Sequence, residues 1–157
     1  MLVAVLVLGS CGGDDKASLK LDGSPRIPDA EGVVRRVDFE SLELEDGRQF
    51  SIDRDLQSFS TYTLEPLALL GRDGQYVQLG LDGKNIRWIA SIGAVLRDTK
   101  ASVFYTGHLL RVDGERLIFR DGTTFLSKVP VEPGLRGAFV IVEIDPEKGK
   151  VRSLARS

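Results

Sequence analysis

The sequence predicts an all-β chain: two tandem five-stranded small antiparallel barrels behind an N-terminal signal and a flexible tether. Three observations carry that expectation. Apolar residues alternate with polar ones in short runs, the period of a half-buried strand. Asp-Gly and related turn pairs punctuate the runs. A stretch that opens at Gly32 recurs, without gaps, at Gly107. Helical periodicity is nearly absent. The bulk composition agrees: 157 residues, 42% hydrophobic, 28% charged and a formal charge of −2 are globular values, with room for one ordinary domain or two very small ones. One Cys and one His exclude an internal disulfide framework, a thiolate zinc site and a histidine metal cage, so no metal and no cofactor is expected.

The chain starts with an unbroken apolar run, Met1 to Leu8, followed at once by Gly9-Ser10-Cys11-Gly12-Gly13-Asp14-Asp15-Lys16. The run is too short to span a bilayer as a helix, which needs about 20 apolar residues, and suits the apolar core of an export signal. No Lys or Arg precedes it, a departure from the basic start usual for such signals. Leu8-Gly9-Ser10-Cys11 resembles the lipobox of bacterial lipoproteins. That resemblance implies a signal over residues 1–10, thioether lipidation of Cys11 after cleavage before it, and an extracytoplasmic chain held to a membrane through Cys11. The alternative, a buried N-terminal strand with an incidental thiol, fits poorly with the Gly, Asp, Lys and Ser that come after it. Residues 11–30 read as a solvated tether, rich in breakers and charges.

The recurrence pairs Gly32–Phe50 with Gly107–Phe125, and nine of the nineteen aligned pairs are identical, both Asp-Gly pairs included. In the first copy Leu42 and Leu44 alternate with Glu43 and Glu45, Asp46-Gly47 tolerates positive φ, and Phe50 and Ile52 alternate again; this is a hairpin signal. The strand before it carries Val34 and Val37, which share a face only if a bulge intervenes. Leu109 and Val112 repeat that spacing. Each copy then closes with a second hairpin: Gln75–Leu81 with Ile86–Ile89 across Asp82-Gly83, and Ala138–Ile144 with Val151–Leu154 across Asp145–Lys150.

Five strands in so short a unit most economically close as an OB-like or SH3-like barrel. The expected divisions are a first barrel at 31–92, an apolar connector at 93–104 and a second barrel at 105–157. The connector region's Ile92, Val95, Leu96, Val103 and Phe104 predict rigid docking of the barrels. Residues 53–74 read as a crossover whose Phe59, Tyr62, Leu64, Leu67, Leu69 and Leu70 cap the first barrel. The pattern Gly-x-Val-x-x-Val-Asp followed by Leu-x-Leu-x-Asp-Gly resembles small β-barrel domains of unassigned function in exported bacterial proteins. No catalytic residue comes with that resemblance.

Comparing the copies position by position exposes candidate sites. Arg35 becomes Leu110 and Glu43 becomes Ile118, so the second copy carries apolar residues where the first is charged. Exposed apolar clusters mark interfaces. Leu110 and Ile118 are therefore expected at a contact with the first barrel, the connector or a partner protein. Trp88, Tyr62 and Tyr105 are candidates for an aromatic patch that would bind sugar or peptide. His108, the lone imidazole, is the candidate for a hydrolase together with nearby acids, yet no Gly-x-Ser-x-Gly nucleophile accompanies it. Glu43, Glu45 and Asp46 sit on a solvated strand and turn, and Asp14 and Asp15 match no calcium loop. Acidic residues on the platform strands of an OB-like barrel, and near-neutral charge, argue against nucleic acid. The expected function is a lipid-anchored envelope protein that binds or scaffolds without catalysis.

Overall fold

The computed structural model describes residues 24–60, 73–96, 98 and 100–157. Cys11 and Tyr62 lie outside the described residues, as do residues 61–72 of the expected crossover. The first strands are β1 (Ala30–Val37), β2 (Ser41–Leu44), β3 (Gln49–Ser60), β4 (Gln75–Asp82) and β5 (Asn85–Ala94). The second set is β6 (Val103–Asp113), β7 (Arg116–Phe119), β8 (Thr124–Leu126), β9 (Phe139–Asp145) and β10 (Lys150–Arg156). A 3₁₀ turn at Pro133–Leu135 precedes β9. The chain is thus all-β, with two five-stranded sheets and almost no helix. No helix of the described residues is long and apolar enough to cross a membrane.

The first sheet has the order β1-β2-β3-β5-β4, with β4 pairing back onto β1. The second has the order β10-β9-β6-β7-β8. Numbered within each sheet, the neighbours are the same except that the third and fifth strands pair only in the first. Two expectations are corrected by this topology. The sheets are not purely antiparallel, because β3 and β5 run parallel, with Ser51 opposite Asn85 and Ile52 opposite Ile86. The second sheet is not closed by hydrogen bonds, because β8 is only three residues long, against twelve for β3. Pro130, four residues past β8, has no N–H to continue a ladder.

Local geometry obeys the side-chain pattern. Val34 pairs with Leu44 and Val37 with Leu42, with a register shift between Val34 and Arg36. Leu109 pairs with Phe119 and Val112 with Leu117, with a shift between Leu109 and Arg111. The bulge lets residues three apart share the inner face, which strict alternation forbids. The turn after each short strand is a three-residue loop: Gly47 N–H donates to Leu44 O and Gly122 N–H to Phe119 O, both at 2.9 Å. The glycines have φ of +89° and +86°, the left-handed conformation that such loops require.

The first sheet encloses Val34, Leu42, Leu44, Val77, Leu79, Ile86 and Ile89. The core of the second, built on Tyr105, Leu109, Leu117, Phe119, Phe125, Val140, Val142 and Ile144, also takes in Val33, Tyr76 and Ile92 from the first. The second core therefore reaches across into the first sheet, whose own interior cluster is separate. The expected connector 93–104 is shorter, since β5 runs to Ala94 and β6 starts at Val103, with a bridge from Leu96 to Ser102 between them. The expected tether is shorter too. Arg26 N–H donates to Gly122 O at 2.8 Å and Asp29 N–H to Leu79 O at 2.9 Å, so residues 24–29 strap the second sheet to the first. The expected crossover 53–74 starts later, because β3 continues to Ser60.

Candidate functional site

The seam between β8 and β10, where the second sheet lacks a ladder, is where the first sheet docks. Gln78 on β4 is buried and its Nε2 donates to Thr124 O on β8 at 2.8 Å and to Glu31 Oε2 at 3.3 Å. Glu31 and the Tyr76 hydroxyl both crowd Gly149 in the β9–β10 turn. Arg26 reaches the carbonyl of Asp121, and Thr124 Oγ1 donates to Arg26 O at 2.9 Å. The strand edge left open in the second sheet is thus satisfied by side chains and by the strap.

Above the seam lies a cleft of about 620 Å³ between the two sheets. Glu31, Glu45 and Arg48 line the first wall, and Arg116, Leu126 and Lys148 the second. Arg48 is held by Asp46 at 2.7 Å and donates to Glu31 O at 2.7 Å. Burial raises the Glu31 carboxyl above its ordinary value, against the hydrogen bond from Gln78 and the charges of Arg48 and Arg116. The Tyr76 phenol is pushed up by burial and by the Glu31 carboxylate. Among the described residues the lining holds no Ser, Cys or His. Its chemistry is that of fixed charges of both signs beside an apolar edge.

The sequence-derived candidates do not converge. Tyr105 is 3% exposed; its ring meets Phe119 at 4.8 Å and Phe125 at 5.1 Å, edge to face. Its hydroxyl donates to Asp121 Oδ2 at 2.8 Å, and burial first, then the Asp121 charge, raises its phenol. Gly107 is required beneath it, since a Cβ there would strike the phenol ring. Tyr105 is therefore a core residue and not part of an exposed patch. Trp88 is half-buried and folds across Gly80, its cross-strand partner, where any Cβ would collide with the indole. The two rings sit in different sheets. A shared aromatic patch of Trp88 and Tyr105 is therefore overturned by strand pairing, which buries one ring and lays the other along its own sheet.

Leu110 and Ile118 separate as well. Ile118 is 2% exposed, and its cross-strand partner Thr124 is the residue bonded to the strap. Leu110 is 37% exposed. His108 lies outside the cleft; its ring stands perpendicular to Phe139, with centroids 5.4 Å apart, and its buried Nδ1 has no hydrogen-bond partner among the described residues.

The two copies also differ at a position that carries a further signal. Val33 pairs with Tyr76 in the first sheet, and His108 with Phe139 in the second, at the same place on the bulged strand. The first pair is buried in the contact between sheets. Phe139 is 61% exposed and Phe104, on the same outer face, 42%. The docking face of the first sheet therefore has an uncovered counterpart in the second. Comparison with known proteins returned no matching family model, no matching curated protein and no matching solved structure.

Proposed function

We propose that the chain is an extracytoplasmic lipoprotein, held to a bacterial membrane through Cys11, whose folded part is a non-catalytic binding or scaffolding module. The observation that carries the binding role is the exposed outer face of the second sheet, with Phe104, Leu110 and Phe139, opposite in fate to the equivalent face of the first. Sheets expose such apolar residues together chiefly where something covers them. The Leu8-Gly9-Ser10-Cys11 motif supports the anchor.

Two small barrels of OB-like topology, derived from one duplicated unit, are the finer form of this proposal. The shared neighbour order, bulge and loop support it, as does the return of the first ladder on itself. Short strands of different length then account for closure in one copy alone.

Replacing Cys11 with Ser tests the anchor. Wild-type protein should incorporate a labelled fatty acid in a bacterial host and fractionate with membranes, and the variant should do neither. Equal labelling and partitioning of the two forms would refute it.

A further inference from the structure

We propose that the Leu110–Phe139 end of the second sheet's outer face is a docking surface for an anionic lipid membrane. The choice of partner rests on the anchored-lipoprotein reading; the surface itself rests on its exposed apolar residues and the arginines around them.

Leu110 and Phe139 project outward with His108 between them. Three exposed arginines flank them. Arg111 comes directly after Leu110 in the bulge, and the Arg120 N–H donates to His108 O at 3.0 Å. Arg136 precedes Gly137, whose N–H donates to Leu109 O at 2.8 Å. None of the three forms an ion pair with a described residue, whereas Arg35, Arg36, Arg48 and Arg87 of the first sheet all do. Asp121, next to Arg120 in sequence, is buried and its carboxylate is taken by the Tyr105 hydroxyl and the Thr123 N–H. A chain of net charge −2 thus gathers uncompensated positive charge around one apolar centre.

That combination fits the headgroup layer of an anionic bilayer, where aromatic rings and arginine both reside. It fits a protein partner less specifically, since a ring of exposed arginines selects negative charge and no particular shape. The attachment of the chain points the same way. The strap begins at Ser24, whose carbonyl packs against Gly122, two residues from Arg120. Residues 12–23 have a contour of roughly 40 Å at about 3.3 Å per residue. An anchor at Cys11 therefore lies within reach of this face. One acyl chain gives marginal binding, and a basic apolar patch is the kind of second signal that makes it firm.

The test uses the full chain carrying Cys11→Ser, so that no lipid anchor contributes, with vesicles of phosphatidylcholine alone or with added phosphatidylglycerol. Cosedimentation is expected with the anionic vesicles only, falling as salt rises. Each of Arg120→Glu and Arg136→Glu should weaken it by about fivefold or more, and Phe139→Glu should weaken it further, with melting temperatures unchanged. The proposal is overturned if the protein ignores anionic vesicles or binds neutral ones equally well. It is also overturned if the substitutions leave binding unmoved, or if the face instead pairs two copies, seen as a dimer that Phe139→Glu dissociates without any vesicle binding. Loss of the anchor alone would show in the fatty-acid labelling and leave these arms intact.

Discussion

Single residues decide how the two sheets meet. Glu31 is the most sensitive of them, because burial raises its carboxyl while Arg48 and Arg116 pull it down. An acid whose pKa is raised on folding binds its proton more tightly in the native state than in the unfolded chain. Stability from this group is fully present below the unfolded value and declines as pH climbs through the folded one. Glu31→Gln should remove that decline. Urea midpoints of the variant should gain on wild type as pH climbs above the ordinary carboxylate value of about 4.3 and then stay level, and parallel curves would count against the assignment. Gly80 is a second such residue. Trp88 occupies the space of its missing side chain, so Gly80→Ala should cost about 1–3 kcal/mol by overpacking, read from denaturant melts.

At the scale of elements, the bulge is the feature most directly written in the residues. Val34 with Val37, and Leu109 with Val112, cannot share a face of a regular strand, and the register shift falls between them in both sheets. The Asp-Gly loops are equally legible, since the demand for positive φ is local. The pairing of β3 with β5 is not, because parallel neighbours are joined through distant chain and leave no local mark. Nor is the open seam, whose cause is a difference in strand length. Gln78 shows the consequence. Its place on a strand gives no hint that its amide satisfies Thr124 O across the seam. Gln78→Ala leaves that buried carbonyl without its donor and should cost about 1–3 kcal/mol. Faster amide exchange confined to Thr124–Leu126 and its neighbours would identify the seam as the place affected.

For the whole molecule, the shared core predicts cooperative behaviour. Val33, Tyr76 and Ile92 complete the packing around Phe119 and Val142, so neither sheet can release the other without exposing buried apolar surface. Calorimetry of the full chain should show one transition, with equal calorimetric and van't Hoff enthalpies. Two resolved transitions would contradict the shared core. Residues 101–157 alone should be largely unfolded, as a chain of this size is marginally stable and here also loses those three side chains from its core.

The sequence alone determined the all-β class, the strand count and the turns, because alternation and positive φ act over a few neighbouring residues. It also brought out the positions where the copies differ. Only the tertiary structure decided which of those positions matter. Ile118 is covered and Leu110 is open, though both replace charged residues, because one faces the strap and the other faces solvent. Tyr105 left the set of surface aromatics for the same reason: burial is set by what packs opposite a residue, and that neighbour comes from a distant part of the chain.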